Sequence, residues 1–333
     1  MKRFTLIVTD ERPRRKRATL RDVAELTGLS TAGVSYALRG QRVSAATAER
    51  VRDAADSIGF RSDPIARALR SGSTGVIGVI GGSLADYWHQ EFASELQRHL
   101  RRRGRHMLLA DADGDAETEL ERARGLVDQR VDGLIALPVA PESGGWQEIV
   151  AEVPVVAVGP ALPAPAGAIR FPADAGSDLM LDHLRDLGHE RLAVLASGMH
   201  RPRRRRGVHT QVCGFSAADG RAAALSALRR PGRPTAIFAL SDALAYGAYM
   251  ACAELGLRIP GDVSVAGFDD HPISQLVAPA LTTVSWDTAR AAGAAAAMLL
   301  DTIEGRRRVR RELVMPPRLV IRGSTSAPRI NGV

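Results

Sequence analysis

Residues that could catalyse a reaction are not arranged in the motifs that usually organise them. The 333-residue chain contains no G-x-S-x-G, no H-E-x-x-H and no paired C-x-x-C sequence. Gly75, Gly78 and Gly81 are spaced three apart, which matches neither a dinucleotide fingerprint nor a phosphate-binding loop. An enzyme on a doubly wound fold is therefore the weaker hypothesis, and the sequence predicts no catalytic residue, no metal and no cofactor.

Polar residues that could bind a small molecule follow two of the predicted strands. Asp269 ends the apolar run Val263–Phe268, and Ser241 follows the run Ala236–Leu240. In parallel α/β folds, ligands bind at the carboxyl ends of strands, so a carboxylate and a hydroxyl at these places can form hydrogen bonds with a ligand. Three aromatic rings could stack on a flat ligand face: those of Trp88, Phe171 and Trp286.

The elements that would position these residues alternate between strands and helices. Seven apolar runs predict strands: Val76–Ile80, His106–Ala110, Leu134–Leu137, Val155–Val158, Leu192–Leu195, Ala236–Leu240 and Val263–Phe268. Four helical patterns lie between them: Trp88–Arg103, Glu117–Gln129, Ser177–Leu187 and Ala243–Leu255. The alternation predicts parallel sheets covered by helices on both faces, and about 260 residues are enough for two lobes with a cleft between them.

Positive charge is concentrated at the start of the chain. The net charge is +8 overall and +7 within residues 1–70, and residues 1–17 alone carry +5. Such a segment attracts polyanions, including nucleic acid, although a short basic tail can equally be a solvated extension. The remaining chain is nearly neutral, so we expect it to bind something other than nucleic acid.

Composition argues against membrane and secreted classes. There is no apolar run of the roughly 20 residues that a spanning helix needs, and residues 1–17 lack the apolar stretch of a signal peptide. Two cysteines, Cys213 and Cys252, cannot form a disulfide framework. We therefore expect a cytoplasmic protein without a membrane partner.

Three short helices are predicted between residues 19 and 58. Thr19 and Asp22 have the spacing of a capping box, Gly28 suits a tight turn, and Ser30 and Ser44 are suitable N-caps for the second and third helices. The apolar face of the first helix has four members: Leu20, Val23, Ala24 and Leu26. Three such helices form the minimal DNA-reading module, but the spacing alone fits an ordinary helical domain equally well.

Residue identity separates these alternatives. The segments TLRDVAELTGLSTAGVSYAL (residues 19–38) and VSAATAERVRDAADSIGF (residues 43–60) closely resemble the DNA-binding domain of the LacI/GalR family of bacterial transcription regulators. The resemblance implies that the second helix enters the major groove of a palindromic operator. It implies these DNA-binding residues: Thr19, Ser30, Thr31, Ala32, Ser35, Tyr36, Arg39, Ala66 and Leu69. Relatives often carry arginine in place of Tyr36, so the operator sequence cannot be inferred from them.

A short hinge follows the helical domain. Asp63 is a suitable N-cap and Pro64 suits the first helical position, but helices shorter than roughly 12 residues are marginal alone in water. In the family, hinge helices from two subunits enter the minor groove together. The resemblance implies that Leu69 wedges a base step and that Ala66 faces the partner's hinge helix.

The resemblance continues to about residue 325. Five segments carry it: residues 183–196, 234–248, 256–270, 281–287 and 318–325. It implies a two-lobed, periplasmic-binding-protein-like core that binds a small effector, usually a sugar or a nucleoside-type metabolite. The effector-binding residues on this basis are Trp88, Phe171, Arg204, Ser241, Asp269 and Trp286. Ser241 stands where relatives usually carry asparagine, and Arg204 lies within an arginine run.

The region after residue 198 departs from the family. Only six residues separate Gly207 from Gly214, where relatives carry a helix and a strand. We therefore expect the second lobe to lack about one helical unit. The pocket would then be wider, closed differently or not functional, and a DNA-binding protein that no longer senses a ligand is a further hypothesis.

Four segments make up the predicted organisation: a basic extension (1–17), a helix-turn-helix domain (18–62), a hinge (63–73) and an effector-binding and dimerisation core (74–333). The favoured hypothesis is a homodimeric repressor, not an enzyme. Its affinity for double-stranded operator DNA would be set by a small metabolite, such as a sugar, bound between the two lobes.

Overall fold

The computed structural model describes residues 18–38, 40–41, 43–60, 72–197, 206–306 and 311–329. The chain divides into two compact units, residues 1–74 and residues 75–333. The predicted extension (1–17) and most of the predicted hinge (63–73) lie outside the described residues.

The first unit contains the three predicted helices: α1 (Leu20–Thr27), α2 (Thr31–Leu38) and α3 (Ala45–Ser57). The capping box of α1 is confirmed, because the Thr19 hydroxyl accepts a bond from the Asp22 backbone N–H and the Asp22 carboxylate accepts one from the Thr19 N–H, at 2.7 Å. Gly28 has a φ of 66°, which favours glycine in the turn. The Ser30 and Ser44 hydroxyls accept backbone bonds at the starts of α2 and α3.

A small apolar core holds these helices together. It consists of Val23, Ala24, Val34, Ala37, Val51 and Ala55. The prediction that Leu26 belongs to this face is wrong, since its side chain is 59% exposed. At about 100° per residue, Leu26 points roughly 160° away from Ala24, and the face of α1 is not wide enough to include both.

The second unit alternates strands and helices. Its first half contains β1 (Val76–Gly81), α4 (Tyr87–Arg102), β2 (His106–Asp111), α5 (Ala116–Asp128), β3 (Gly133–Ala136), α6 (Gly145–Glu152), β4 (Val155–Val158) and β5 (Gly167–Arg170). Next come α7 (Ala173–Asp186), β6 (Leu192–Ser197), β7 (Val208–Cys213), α8 (Ala217–Leu228), β8 (Ala236–Ala239), α9 (Asp242–Glu254), β9 (Ser264–Asp269), a 3-10 helix (Pro272–Gln275) and β10 (Thr282–Ser285). The last three elements are α10 (Thr288–Ile303), β11 (Arg311–Val314) and β12 (Arg318–Val320). Each predicted strand and helix of this unit is present, with small shifts at the ends.

Two six-stranded sheets form two lobes. The first sheet has the order β11-β5-β4-β3-β1-β2 and is parallel throughout. The second has the order β12-β10-β9-β8-β6-β7, with only β12 antiparallel. The chain passes between the lobes after β5, after β10 and after β11. Phe171 directly follows β5 and Trp286 directly follows β10, so both lie on segments that connect the lobes.

The region that the sequence predicts to be shortened contains a strand. Val208–Cys213 forms β7, which pairs in parallel with β6 so that Val208 lies opposite Leu192. The second lobe therefore keeps this strand of its sheet. The connection between β6 and β7 spans residues 198–207, fewer than the dozen or more that a parallel crossover usually needs, so the shortening is confined to this connection.

Candidate DNA interface and effector site

Helix α2 presents two of the predicted base-reading residues to solvent. Thr31 and Ala32 are exposed in its first turn, whereas Val34 and Ala37 are buried in the core of the head. The cause is helical periodicity, since one face of this eight-residue helix packs on α1 and α3 and the other remains open.

The other predicted DNA contacts fall into three groups. Ser35 and Tyr36 are half-buried in α2. The hydroxyls of Thr19 and Ser30 already cap helices, so their structural role is defined independently of DNA. Arg39, Ala66 and Leu69 lie outside the described residues.

The three predicted aromatic side chains converge between the lobes. The ring centroids of Trp88 and Phe171 are 5.2 Å apart and nearly perpendicular, and those of Phe171 and Trp286 are 5.1 Å apart. Trp286 also packs on Phe268, at 5.4 Å. The rings join α4 of the first lobe to β9 and β10 of the second. A ligand that stacks here would touch both segments on which the chain crosses between the lobes.

Asp269 lies at the carboxyl end of β9, opposite Ser285 of β10. Its backbone has a φ of 109°, a strained value for a residue other than glycine. Burial raises the pKa of the Asp269 carboxyl well above its ordinary value, and the charges of Asp86, Asp242 and Glu91 raise it further. Asp269 therefore lies at the carboxyl edge of the second sheet among other acidic groups, and its role as a ligand contact stays a prediction.

Asp242 anchors the loop that follows Asp269. Its carboxylate accepts bonds from the Ser274 hydroxyl at 2.5 Å, the Thr283 hydroxyl at 2.7 Å and the His271 backbone N–H at 2.8 Å. Its side chain is almost completely buried. These bonds join α9, β10 and the 3-10 helix, so Asp242 positions the segment that carries Asp269.

Two neighbouring polar side chains make contacts within the second lobe. Ser241 is buried, and its hydroxyl accepts a bond from the Leu244 N–H at 3.3 Å, so the contact seen is a cap on α9. Asp270 pairs with Arg322 at 2.6 Å. The cap on the 3-10 helix is His271, whose ring nitrogen accepts the Ile273 N–H.

Burial raises the pKa of Asp242 to about 7, and this predicts a pH effect on stability. When folding raises the pKa of an acid, the acid takes up a proton as the protein folds at any pH between its ordinary pKa and its pKa in the folded state. Its contribution to stability is therefore highest below about pH 4 and declines as the pH rises toward 7. Asp242→Asn cannot ionise and lacks this decline.

Urea unfolding at pH 5, 6 and 7 measures the effect. We expect the unfolding free energy of the wild type to fall relative to that of Asp242→Asn across this range. Asp128→Asn, on the exposed end of α5, is the matched control and should follow the wild type. A constant difference between wild type and Asp242→Asn would contradict the assigned pKa shift.

The start of α4 places acidic and aromatic side chains near the candidate site, and the sequence alone did not indicate them. Asp86 caps this helix by accepting the Trp88 N–H at 2.9 Å. The Tyr87 ring lies 5.4 Å from that of His271, and so links the first lobe to the loop after β9. Glu91 lies one turn further along, and burial together with the charges of Glu95 and Asp270 raises its pKa. The only available signal was their position just after β1, at the carboxyl edge of the sheet.

A surface cavity of about 350 Å³ lies elsewhere in the second lobe. Arg191, Gly207, His209 and Arg230 line it at the amino ends of β6 and β7. Ligands in such folds bind at the opposite, carboxyl edge, so this cavity is not the candidate effector site. Predicted Arg204 lies outside the described residues. Within the described ranges, no helix is long and apolar enough to cross a membrane.

Comparison with known proteins identifies both units. Residues 19–63 match the family of bacterial regulatory proteins named after lacI, and residues 181–325 match the periplasmic binding protein-like domain. Full-length relatives and a solved structure agree with these matches. The HTH-type transcriptional repressor PurR of Vibrio vulnificus is 28% identical over 331 residues, covering 92% of this chain and 98% of the relative.

The chain belongs to the LacI family.

Other relatives of this LacI-family protein agree in length and fold. The ribose operon repressor of Escherichia coli K12 is 28% identical over 329 residues, covering 92% of this chain and 99% of the relative. A lac repressor dimer, solved bound to operator and the anti-inducer ONPF, superposes with a TM-score of 0.79 at 27% identity, covering 94% of this chain and all of that one. These relatives are transcriptional repressors. The LacI-family protein is thus a transcription regulator with a helix-turn-helix head and a two-lobed α/β core.

Proposed function

We propose that this protein is a homodimeric repressor that binds a palindromic operator in the bacterial cytoplasm and responds to a small metabolite between its lobes. The observation that carries the proposal is the position of Phe171 and Trp286, since both predicted ligand-stacking rings lie on segments that connect the lobes. A ligand bound at these segments would change the angle between the two lobes. The relatives named above are repressors, and none of the motifs in this chain indicates catalysis, so we propose no enzymatic activity.

Effector binding would change the affinity for operator DNA by changing the angle between the lobes. A ligand that prefers one arrangement of the lobes shifts the population toward it, and couplings between two such sites are typically 1–3 kcal/mol. We propose that the hinge of residues 63–73, including Ala66 and Leu69, transmits the change to the paired heads. Thr31, Ala32, Ser35 and Tyr36 would read the operator, with Thr19, Ser30 and Arg39 near phosphates.

The effector is proposed to be a sugar or a related metabolite. The relatives include a ribose operon repressor, and the aromatic rings suit the face of a ring-shaped ligand. Asp269 would bind ligand hydroxyls. Arg204 and Ser241 remain predicted contacts, of which Ser241 is already engaged as a helix cap.

Exposed apolar side chains on the second lobe support dimerisation. Met250 of α9 is 52% exposed and Leu276, after the 3-10 helix, is 80% exposed. The two elements adjoin, because the Tyr246 hydroxyl of α9 bonds to that of Ser274 at 2.8 Å. A second copy that packs on this patch would remove both side chains from water.

The double substitution Met250→Glu with Leu276→Glu is expected to dissociate the dimer, because it places four like charges across a two-fold interface. Analytical ultracentrifugation should show a monomer at micromolar concentration. Operator affinity should fall by about 10-fold or more, since one head reads only a half-site. Val212→Glu, on the exposed edge strand β7, is the matched control. A variant that remains dimeric would rule out this patch as the interface.

The proposed function is tested by a mobility shift on the DNA upstream of the protein's own gene, titrated with sugars and nucleosides. Sequence-specific binding that a ligand changes supports the proposal. Specific binding that no ligand changes favours a regulator without a sensor, which the short connection at residues 198–207 makes a concrete alternative. Absence of specific binding contradicts both.

A further inference from the structure

The surface cavity at the amino ends of β6 and β7 combines basic and apolar side chains. Arg191 directly precedes β6, His209 belongs to β7, and Arg230 follows the end of α8. The apolar part of the wall consists of Leu192, Ala193, Val208, Ala227, Pro231 and Pro234. No acidic side chain is among the described residues that line the cavity. The cavity therefore presents positive charge beside an apolar wall.

The arginines of this cavity are not neutralised by carboxylates. No ion pair between described residues involves Arg191, Arg230 or the adjoining Arg206. Arg191 donates through Nε to the carbonyl oxygen of Arg233 at 3.2 Å, and Arg230 donates through Nη1 to the Nε2 of His209 at 2.6 Å. A guanidinium has five N–H donors and no acceptor, so each of these two arginines retains donors for a ligand.

The end of α8 explains only part of this positive charge. A helix C-terminus carries roughly half a negative charge and favours nearby cations. Arg229, at the same helix end, pairs with Glu254 at 3.3 Å and so has a counter-ion that does not line the cavity. On the other side, Arg185 of α7 donates to the carbonyl oxygen of Arg206 at 2.8 Å, which places a further guanidinium beside the cavity wall. Positive charge at this edge thus exceeds what one helix end attracts.

We propose that this cavity is a second ligand site, which binds a phosphate monoester of a small organic molecule, such as a sugar phosphate or a nucleotide. The planar fork of arginine matches two oxygens of a phosphate, and Arg191 and Arg230 supply two forks from different elements. The volume of about 350 Å³ lies within the range of small-molecule sites. It is larger than a phosphate group alone requires, so the apolar wall contacts the organic part.

A phosphate monoester suits this cavity better than the backbone of DNA does. The monoester carries a charge of about −1.5 to −2 at pH 7, whereas each phosphate of a DNA strand carries a single charge. A terminal phosphate can enter a concave site, which a phosphate within a duplex cannot do. The cavity also lies at the amino edge of the second sheet, opposite the carboxyl edge that carries Asp269. The inference therefore concerns a site separate from that of the proposed effector.

Matched ligands test the proposal by calorimetry on the full-length protein without DNA. The probes are AMP beside adenosine, ribose 5-phosphate beside ribose, and inorganic phosphate. At least one monoester should bind about 10-fold or more tightly than both its parent and inorganic phosphate, and added salt should weaken its binding. Equal affinity for the parent, equal affinity for inorganic phosphate, or no binding of either monoester overturns the proposal.

Variants assign the binding to the cavity. Arg191→Gln and Arg230→Gln should each weaken the monoester by about 10-fold or more, and Arg230→Lys, which keeps the charge but loses the fork, should weaken it less than Arg230→Gln. These side chains are exposed, so thermal unfolding should confirm that the variants remain folded. Arg229→Gln removes the same charge one residue away, outside the cavity lining, and should stay within about 2-fold. Binding that survives the double substitution of Arg191 and Arg230 overturns the proposal.

Duplex DNA of unrelated sequence provides the last comparison. It should not displace the bound monoester, because the cavity accepts a terminal phosphate. Displacement by this DNA that disappears in Arg230→Gln would assign the arginines to a DNA-binding surface and overturn the proposal. The calorimetry contains no operator, so failure of the phosphate site and failure of the proposed repressor function are separate results.

Discussion

Asp269→Ala is expected to weaken effector binding by about 100-fold while operator affinity without effector stays within about 3-fold. Asp269 is half-buried at the end of β9, and it directly follows Phe268, whose ring packs on that of Trp286. A hydrogen bond to a charged group contributes about 1.5–3 kcal/mol, and 2.7 kcal/mol corresponds to 100-fold. Calorimetry with the effector and fluorescence anisotropy on operator DNA measure the two quantities.

Asp269→Asn separates the loss of charge from backbone strain. Asparagine tolerates the left-handed φ of 109° better than alanine does, and it keeps a hydrogen-bonding oxygen. The variant should lose most of the effector affinity and keep the unfolding free energy of the wild type, or exceed it, because a repelled carboxylate has been removed. Asp128→Ala on α5 is the neutral control. Effector affinity unchanged in both Asp269 variants would remove this residue from the site.

Val34→Asp is expected to abolish specific operator binding, with a loss of about 1,000-fold or more, and to leave effector binding intact. Val34 is fully buried, and it belongs to a small apolar cluster that contains six buried side chains among the described residues of the head. A charge placed there without a partner costs several kcal/mol, comparable to the whole stability of such a small domain. The core unit, residues 75–333, has its own sheets and apolar clusters, so it remains folded.

Anisotropy on operator DNA and calorimetry with the effector measure this second result. Leu26→Asp introduces the same charge into the same unit at a side chain that is 59% exposed. It should retain the fold and most of the operator affinity. Joint loss of operator and effector binding in Val34→Asp would contradict the independence of the two units.

Local signals in the sequence predicted most of the fold. The capping box of Thr19 and Asp22, the turn glycine Gly28 and the serine caps act within four residues, so the sequence alone contains both partners of each contact. The apolar strands were visible for a similar reason, because strands buried on both faces are continuous apolar runs. Helices α8 and α10 were missed, since their many alanines leave little contrast between a buried and an exposed face.

The candidate site was predicted only in part, because its contacts are distant in sequence. Asp242 bonds to His271 and Thr283, which lie 29 and 41 residues away. Glu91 and Asp86 approach Asp269 only because α4 and β9 lie in facing lobes. The three aromatic residues were singled out because aromatic side chains make up only 4% of the chain and suit stacking on a ring. Strand β7 was missed because its polar and exposed residues, including His209 and Gln211, do not form an apolar run.

Operator binding under effector titration tests the central claim most directly. The full-length protein is mixed with labelled DNA from upstream of its own gene, and affinity is measured with increasing concentrations of each sugar, amino sugar and nucleoside. We predict specific binding as a dimer, and a change of about 5- to 150-fold in operator affinity with at least one ligand. A protein that binds no DNA sequence specifically, or binds with an affinity that no ligand of the panel changes, would contradict a ligand-responsive repressor.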